Sequence, residues 1–188
     1  MINQLIIDIA FASAIVTSFL NFIIFFKKNS DLTILKNLAR TSFFILTSLI
    51  IIASVILLVN ILGHNFQITY IWSYSSKELP LHLLLSSFFA GQEGSLLLWI
   101  LFFLIFGLFL LKYTSQRNYE HVFMAVFNLI VASLLLMLIA KSPFEMIWET
   151  FQQDSVKEGF MPQNGRGLNP ILENFWMIIH PPILFVGY

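Results

Sequence analysis

Four long apolar runs dominate the chain, over residues 5–26, 41–62, 95–111 and 121–140. Crossing a hydrocarbon core takes roughly 20 apolar residues of helix. A span surrounded by lipid must satisfy its own backbone hydrogen bonds, so each run predicts an α-helix. The third is the shortest and predicts an upright helix or a locally thinned bilayer. Composition closes off a water-soluble alternative. Of 188 residues, 58% are hydrophobic and 11% charged, against about 25% charged in a soluble domain. The expected fold is therefore an all-α integral membrane protein, a polytopic helix bundle.

A fifth apolar run begins near Phe175 and is still running at Tyr188. Residues 176–188 make about 20 Å of helix at 1.5 Å per residue, short of a core about 30 Å thick. The expectation is one membrane domain with four complete spans and the start of a fifth, completed by further chain or by a partner. The first run has no basic stretch before it and holds Asp8, while Lys27 and Lys28 follow it. That is the pattern of a retained span, not of a cleaved signal peptide.

Basic residues set the orientation. Lys27, Lys28, Lys36 and Arg40 follow the first span, and Lys112 and Arg117 follow the third, all in short loops. Lys77, Lys141, Lys157 and Arg166 are spread over much longer loops on the other side. The short basic loops are expected inside, and the N-terminus with loops 63–94 and 141–174 outside. These outer loops read as structured. Ile68, Tyr70, Ile71, Trp72 and Tyr74, then Leu79-Pro80-Leu81-His82-Leu83-Leu84-Leu85, suit a short interfacial helix at the headgroup level. The second carries Pro143, Trp148, Pro162 and a Gly165-Arg166-Gly167 turn.

Cysteine is absent, which excludes a disulfide framework, a CxxC relay and a cysteine-based metal site within the chain. Net charge is zero, with no basic stripe for nucleic acid. No nucleotide loop, nucleophile elbow or zinc spacing occurs.

Three local features could carry chemistry. In Ile179-His180-Pro181-Pro182, the prolines favour a first helical turn. They predict His180 at or just before a helix N-terminus, on the outer side. A helix dipole there disfavours imidazolium, and neutral imidazole is the form that ligates metal or haem iron. The plainer reading is an interfacial histidine. In Ala90-Gly91-Gln92-Glu93-Gly94-Ser95, Gly91 and Gly94 allow close backbone approach. Glu93 is either a helix-end carboxylate complementing the dipole or a functional acid at the membrane threshold. In Asn164-Gly165-Arg166-Gly167-Leu168-Asn169-Pro170, Arg166 either reaches an anion through its planar fork or caps an exposed turn. His64, His82 and His121 stand alone, and His121 reads as a span-end residue. Asp8, Asn21 and Asn128 suit hydrogen bonds between helices.

Taken in order, several segments resemble the CcmF family of cytochrome c haem lyase subunits. They are Trp72-Ser73-Tyr74-Ser75-Ser76 with Leu79-Pro80, Gly91-Gln92-Glu93-Gly94-Ser95-Leu96-Leu97-Leu98-Trp99, Ser142-Pro143-Phe144, Gly165-Arg166-Gly167-Leu168-Asn169-Pro170, and His180-Pro181-Pro182-Ile183-Leu184-Phe185-Val186-Gly187-Tyr188. The resemblance covers about residues 60–188, and the first 60 fit in hydropathy alone. It implies the N-terminal portion of a haem lyase domain that handles haem transiently and attaches it to apocytochrome c. The implied partners are a haem chaperone, apocytochrome c, other maturation subunits and membrane lipid.

By the same resemblance His180 matches the first of two outer histidines flanking a tryptophan-rich haem platform, as an axial ligand of haem iron. Arg166 is expected to contact a haem propionate or a structural carboxylate. Gly91, Glu93, Gly94, Pro181 and Pro182 are motif positions without an assigned catalytic part. Gln92 stands where many members carry His. The platform, the second outer histidine and the histidines holding a resident haem b are not in these 188 residues. This chain alone is therefore not expected to complete the reaction. The rival reading within the family is a non-catalytic membrane scaffold that docks the chaperone or the apocytochrome. A transporter reading lacks a charged intramembrane pathway apart from Asp8. The expected location is a bacterial inner membrane, with a mitochondrial inner membrane as alternative.

Overall fold

The computed structural model describes residues 2–27, 32–152 and 156–187, without the side chains of Ile2 and Met177. Lys28 and Tyr188, used above, lie outside the described residues. The fold is helical throughout. Helices α1 (Ile2–Phe26), α2 (Thr33–Leu62), α5 (Gln92–Ser115) and α6 (Glu120–Ala140) are the long ones. Between α2 and α5 lie α3 (Thr69–Tyr74), α4 (Leu81–Ser86) and a 3-10 turn, Ser87–Phe89. After α6 come α7 (Ile147–Thr150), a second 3-10 turn, Pro170–Leu172, and α8 (Phe175–Gly187). The four long helices have mean hydropathies of 2.2 to 2.8 and are long and apolar enough to cross a membrane. The chain is thus a multi-pass helical membrane protein.

Two of these helices outrun their apolar stretches. α2 starts at Thr33 and α5 runs from Gln92 to Ser115, so Lys36, Arg40 and Lys112 sit on helices and not in loops. A helix ends where its backbone hydrogen bonds end, not where the hydrocarbon does. The helix that carries the third run is accordingly 24 residues long, longer than its apolar stretch at residues 95–111. The single interfacial helix expected in 63–94 is instead two short helices and a 3-10 turn.

The chain divides into two compact units: Met1–Ile52 with Ile100–Ala140, and Ala53–Trp99 with Lys141–Tyr188. In the first unit α1 packs along α6. Ala10, Ala14, Thr17 and Ser18 are buried on α1; such small residues let helix backbones approach closely in lipid. The Ser18 hydroxyl donates to the Ala125 carbonyl at 2.8 Å, and His121 Nδ1 lies 2.9 Å from Asn21 Oδ1. Asn21 thus bridges two helices, whereas the Asn128 amide donates within its own helix, to Met124. Arg40 grips Glu120 with two hydrogen bonds of 2.8 and 2.6 Å. Phe103 stacks on Phe127 with centroids 4.7 Å apart. Asp8 is exposed. Facing outward are Phe19, Phe44, Phe109, Leu129 and Met137, an apolar exterior suited to lipid.

The second unit has its own core, including Leu57, Ile61, Phe66, Ile71, Leu84, Phe88, Leu97, Phe144, Ile147 and Leu168. The two loops of this unit are joined by an isolated antiparallel bridge, Ile68 to Met146. The Thr69 N–H donates to Glu145 O, and the Ile147 N–H to Gln67 O, each at 2.9 Å. α8 packs against α4, and Phe185 stacks on Trp99 at 6.3 Å.

Candidate functional site

All three motifs singled out in the sequence fall in this second unit. α3 organises two of them. Its spacing puts Tyr70 and Tyr74 on one face, four residues apart, one turn above the other. That face receives the turn from the 3-10 segment into α5. The buried Tyr70 hydroxyl accepts from the Gly91 N–H at 3.1 Å. Its own hydrogen is within reach of the Phe88 and Ser87 carbonyls, at 2.9 and 3.0 Å. Burial pushes the Tyr70 phenol well above its ordinary pKa of 10.0, so the group acts here as a neutral donor and acceptor. A Cβ at Gly91 would lie 2.7 Å from the Tyr70 ring, and one at Gly94 would overlap the Phe88 carbonyl oxygen. The two glycines are therefore close-approach positions against α3.

Glu93 sits in the first turn of α5. Its Oε1 is 2.8 Å from Lys141 Nζ, with 12% of the Glu93 side chain exposed. Oε2 is buried without a hydrogen-bond partner among the described residues. The hydrogen bond to Glu93 raises the Lys141 pKa above its ordinary value. Glu93 thus has a defined cationic partner, which the sequence did not signal.

Arg166 lies where the chain returns to α3. The Arg166 N–H donates to the Trp72 carbonyl at 2.7 Å, and the Gly167 N–H to Ser75 O at 3.1 Å. Gly165 sits so close to the Ser75 carbonyl that a Cβ would overlap it, and Gly167 has φ +80°. Both glycines are thereby required by geometry. The Arg166 guanidinium is centred 4.1 Å from the Trp72 ring. Among the described residues Arg166 has an aromatic face as its partner and no ion-paired carboxylate.

His180 differs from its expected setting. α8 begins five residues earlier, at Phe175, and Asn174 Oδ1 accepts from the Trp176 N–H at 3.2 Å. Asn174 is a favourable N-cap residue, so the helix starts there and not at the prolines. Pro181 and Pro182 lie inside the helix, which removes the donors that would reach back to Met177 and Ile178. His180 is consequently mid-helix, so an N-terminal dipole does not act on it. Its side chain is exposed. Pro181 lines a small recess with Ser86, Phe89, Ala90, Leu168 and Leu172. The recess joins the His-Pro-Pro helix to the 3-10 turn that leads into the glycine–glutamate motif and to the segment from Leu168 to Leu172.

The remaining histidines are dispersed. His82 is exposed on α4. His64 adopts φ 51°, and its Nδ1 is buried without a hydrogen-bond partner among the described residues. No group of three His, Cys, Asp or Glu that could hold a metal occurs among the described residues.

No solved structure matches the chain. Among curated proteins, the probable cytochrome c-type biogenesis protein NrfE of Escherichia coli K12 is 34% identical over 143 residues, covering 75% of this chain and 24% of its own length. The cytochrome c-type biogenesis proteins CcmF of Haemophilus influenzae and E. coli K12 are 30% and 33% identical, each over 66% of this chain and 18% of their own length. The chain therefore spans about a fifth to a quarter of the length of these relatives. The profile described as cytochrome C assembly protein matches residues 89–188, from the Gly91–Gly94 turn through α8. By that match over more than half its length, the chain belongs to the cytochrome c assembly protein family.

Proposed function

We propose that this chain serves cytochrome c maturation as a subunit, or the N-terminal portion, of a membrane haem lyase. In this reading haem is the substrate, received from a chaperone and attached to apocytochrome c with other maturation subunits. His180 is an axial ligand of its iron and Arg166 a propionate contact. The membrane is the bacterial inner membrane, with the N-terminus and the loops of the second unit outside. The observation that carries the reading is the exposed imidazole of His180, held on a helix that contains Pro181 and Pro182, in the unit that also contains the glycine–glutamate and Arg166 motifs. An exposed imidazole is open to iron, and fixing the iron would orient the haem for attachment.

His180→Ala tests it. With membrane insertion unchanged, covalent haem on c-type cytochromes should fall at least tenfold, measured by haem-stained gels. Full maturation in that variant would instead favour a scaffold that docks chaperone or apocytochrome.

A further inference from the structure

Resting on the reading of Arg166 as a propionate contact, we propose that Trp72 is the positioning residue of that contact. Its indole is the platform that holds the guanidinium edge-out for a carboxylate. Arg166 is tied to Trp72 twice, by its N–H on the Trp72 carbonyl at 2.7 Å and by its guanidinium 4.1 Å from the ring centroid. The backbone on either side is pinned as well. Gly165 is seated against the Ser75 carbonyl, the Gly167 N–H donates to that same carbonyl, and Leu168 is buried. Trp72 is itself braced by Phe151, edge-on at 5.6 Å and 83°.

A guanidinium lying on an aromatic face spends none of its N–H donors on the stack. All five stay at its edge, in the fork geometry that matches a carboxylate. Arg166 is exposed, and no carboxylate among the described residues occupies that fork. A long, flexible side chain normally loses rotamer freedom when it captures a ligand. Here the indole has already removed much of that freedom. The stack therefore serves selection between a charged carboxylate and its neutral ester more than it serves folding.

The test uses the full chain in lipid discs, titrated with haem and with haem dimethyl ester and followed by Soret absorbance. The unsubstituted chain should bind haem about tenfold more tightly than the ester, and Arg166→Gln should lose the preference. Placing tryptophans of rising fluorine number at position 72 keeps the ring's shape while draining its face of negative charge. The preference should then fall stepwise with no change in melting temperature. Trp72→Phe should retain part of it and Trp72→Leu little. A fluorinated series that keeps the full preference, while Arg166→Gln loses it, overturns the part given to Trp72 and leaves the propionate reading standing. Equal binding of haem and ester by the unsubstituted chain overturns the propionate reading, and this inference with it.

Discussion

The buried Tyr70 hydroxyl satisfies the Gly91 N–H and a carbonyl of the 3-10 turn. Removing it leaves a buried donor and acceptor unpaired, which costs about 1–3 kcal/mol. Tyr70→Phe should therefore lower stability by that amount in a detergent melt at neutral pH. The sign with pH follows from the same burial. The folded pKa lies above the ordinary value of 10.0, so the stabilisation is fully present below pH 10 and is lost as pH rises beyond it, where only the unfolded chain ionises. Melts of the two proteins should converge above that pH. A constant gap up to strongly alkaline conditions would show that the phenol is not the group responsible. Gly91 and Gly94 express the same packing from the other side: they are small because Tyr70, Tyr74 and the Phe88 carbonyl stand where a side chain would be.

Among the helices, the four long ones were legible in the sequence because long apolar runs admit only one backbone solution in lipid; the short ones of the outer loops were not. Nor were the ends of the long ones. Thr33, Lys36 and Arg40 look like loop by composition, yet Arg40 is drawn onto α2 by two hydrogen bonds to Glu120, a residue 80 positions away. The motif residues were visible one by one, but their partners were not. Nothing local links Trp72 to Arg166 or Glu93 to Lys141, since these pairs exist only once the fold has formed. The Tyr70–Tyr74 spacing opposite Gly91–Gly94 is the one sequence signal of this packing. At α8 the prolines were legible but their meaning was inverted, because Asn174, a stronger start signal, lay upstream. Ala is favoured over Pro by about 3 kcal/mol in a helix interior. Pro181→Ala with Pro182→Ala should therefore slow amide hydrogen exchange over residues 183–187 by at least tenfold. Unchanged exchange would mean that the missing donors do not limit this helix.

For the whole molecule, the absence of cysteine makes orientation directly measurable. A single cysteine at Lys157 should react with an impermeant maleimide in intact cells, and one at Gln116 only after the membrane is opened. The reverse pattern would invert the proposed topology. The ties that assemble the second unit also join distant stretches of chain: Lys77 to Asn164, for instance, spans 87 positions. At a synthesis rate of about 5–20 residues per second, α3 would wait roughly 4–17 s for its partner segment to emerge. Through that interval the Trp72 and Ser75 carbonyls must be tended by water or by the insertion machinery. A ribosome stalled anywhere in the interval would hold out an unfinished clasp, and quality-control proteases could recognise that open state from outside the bilayer.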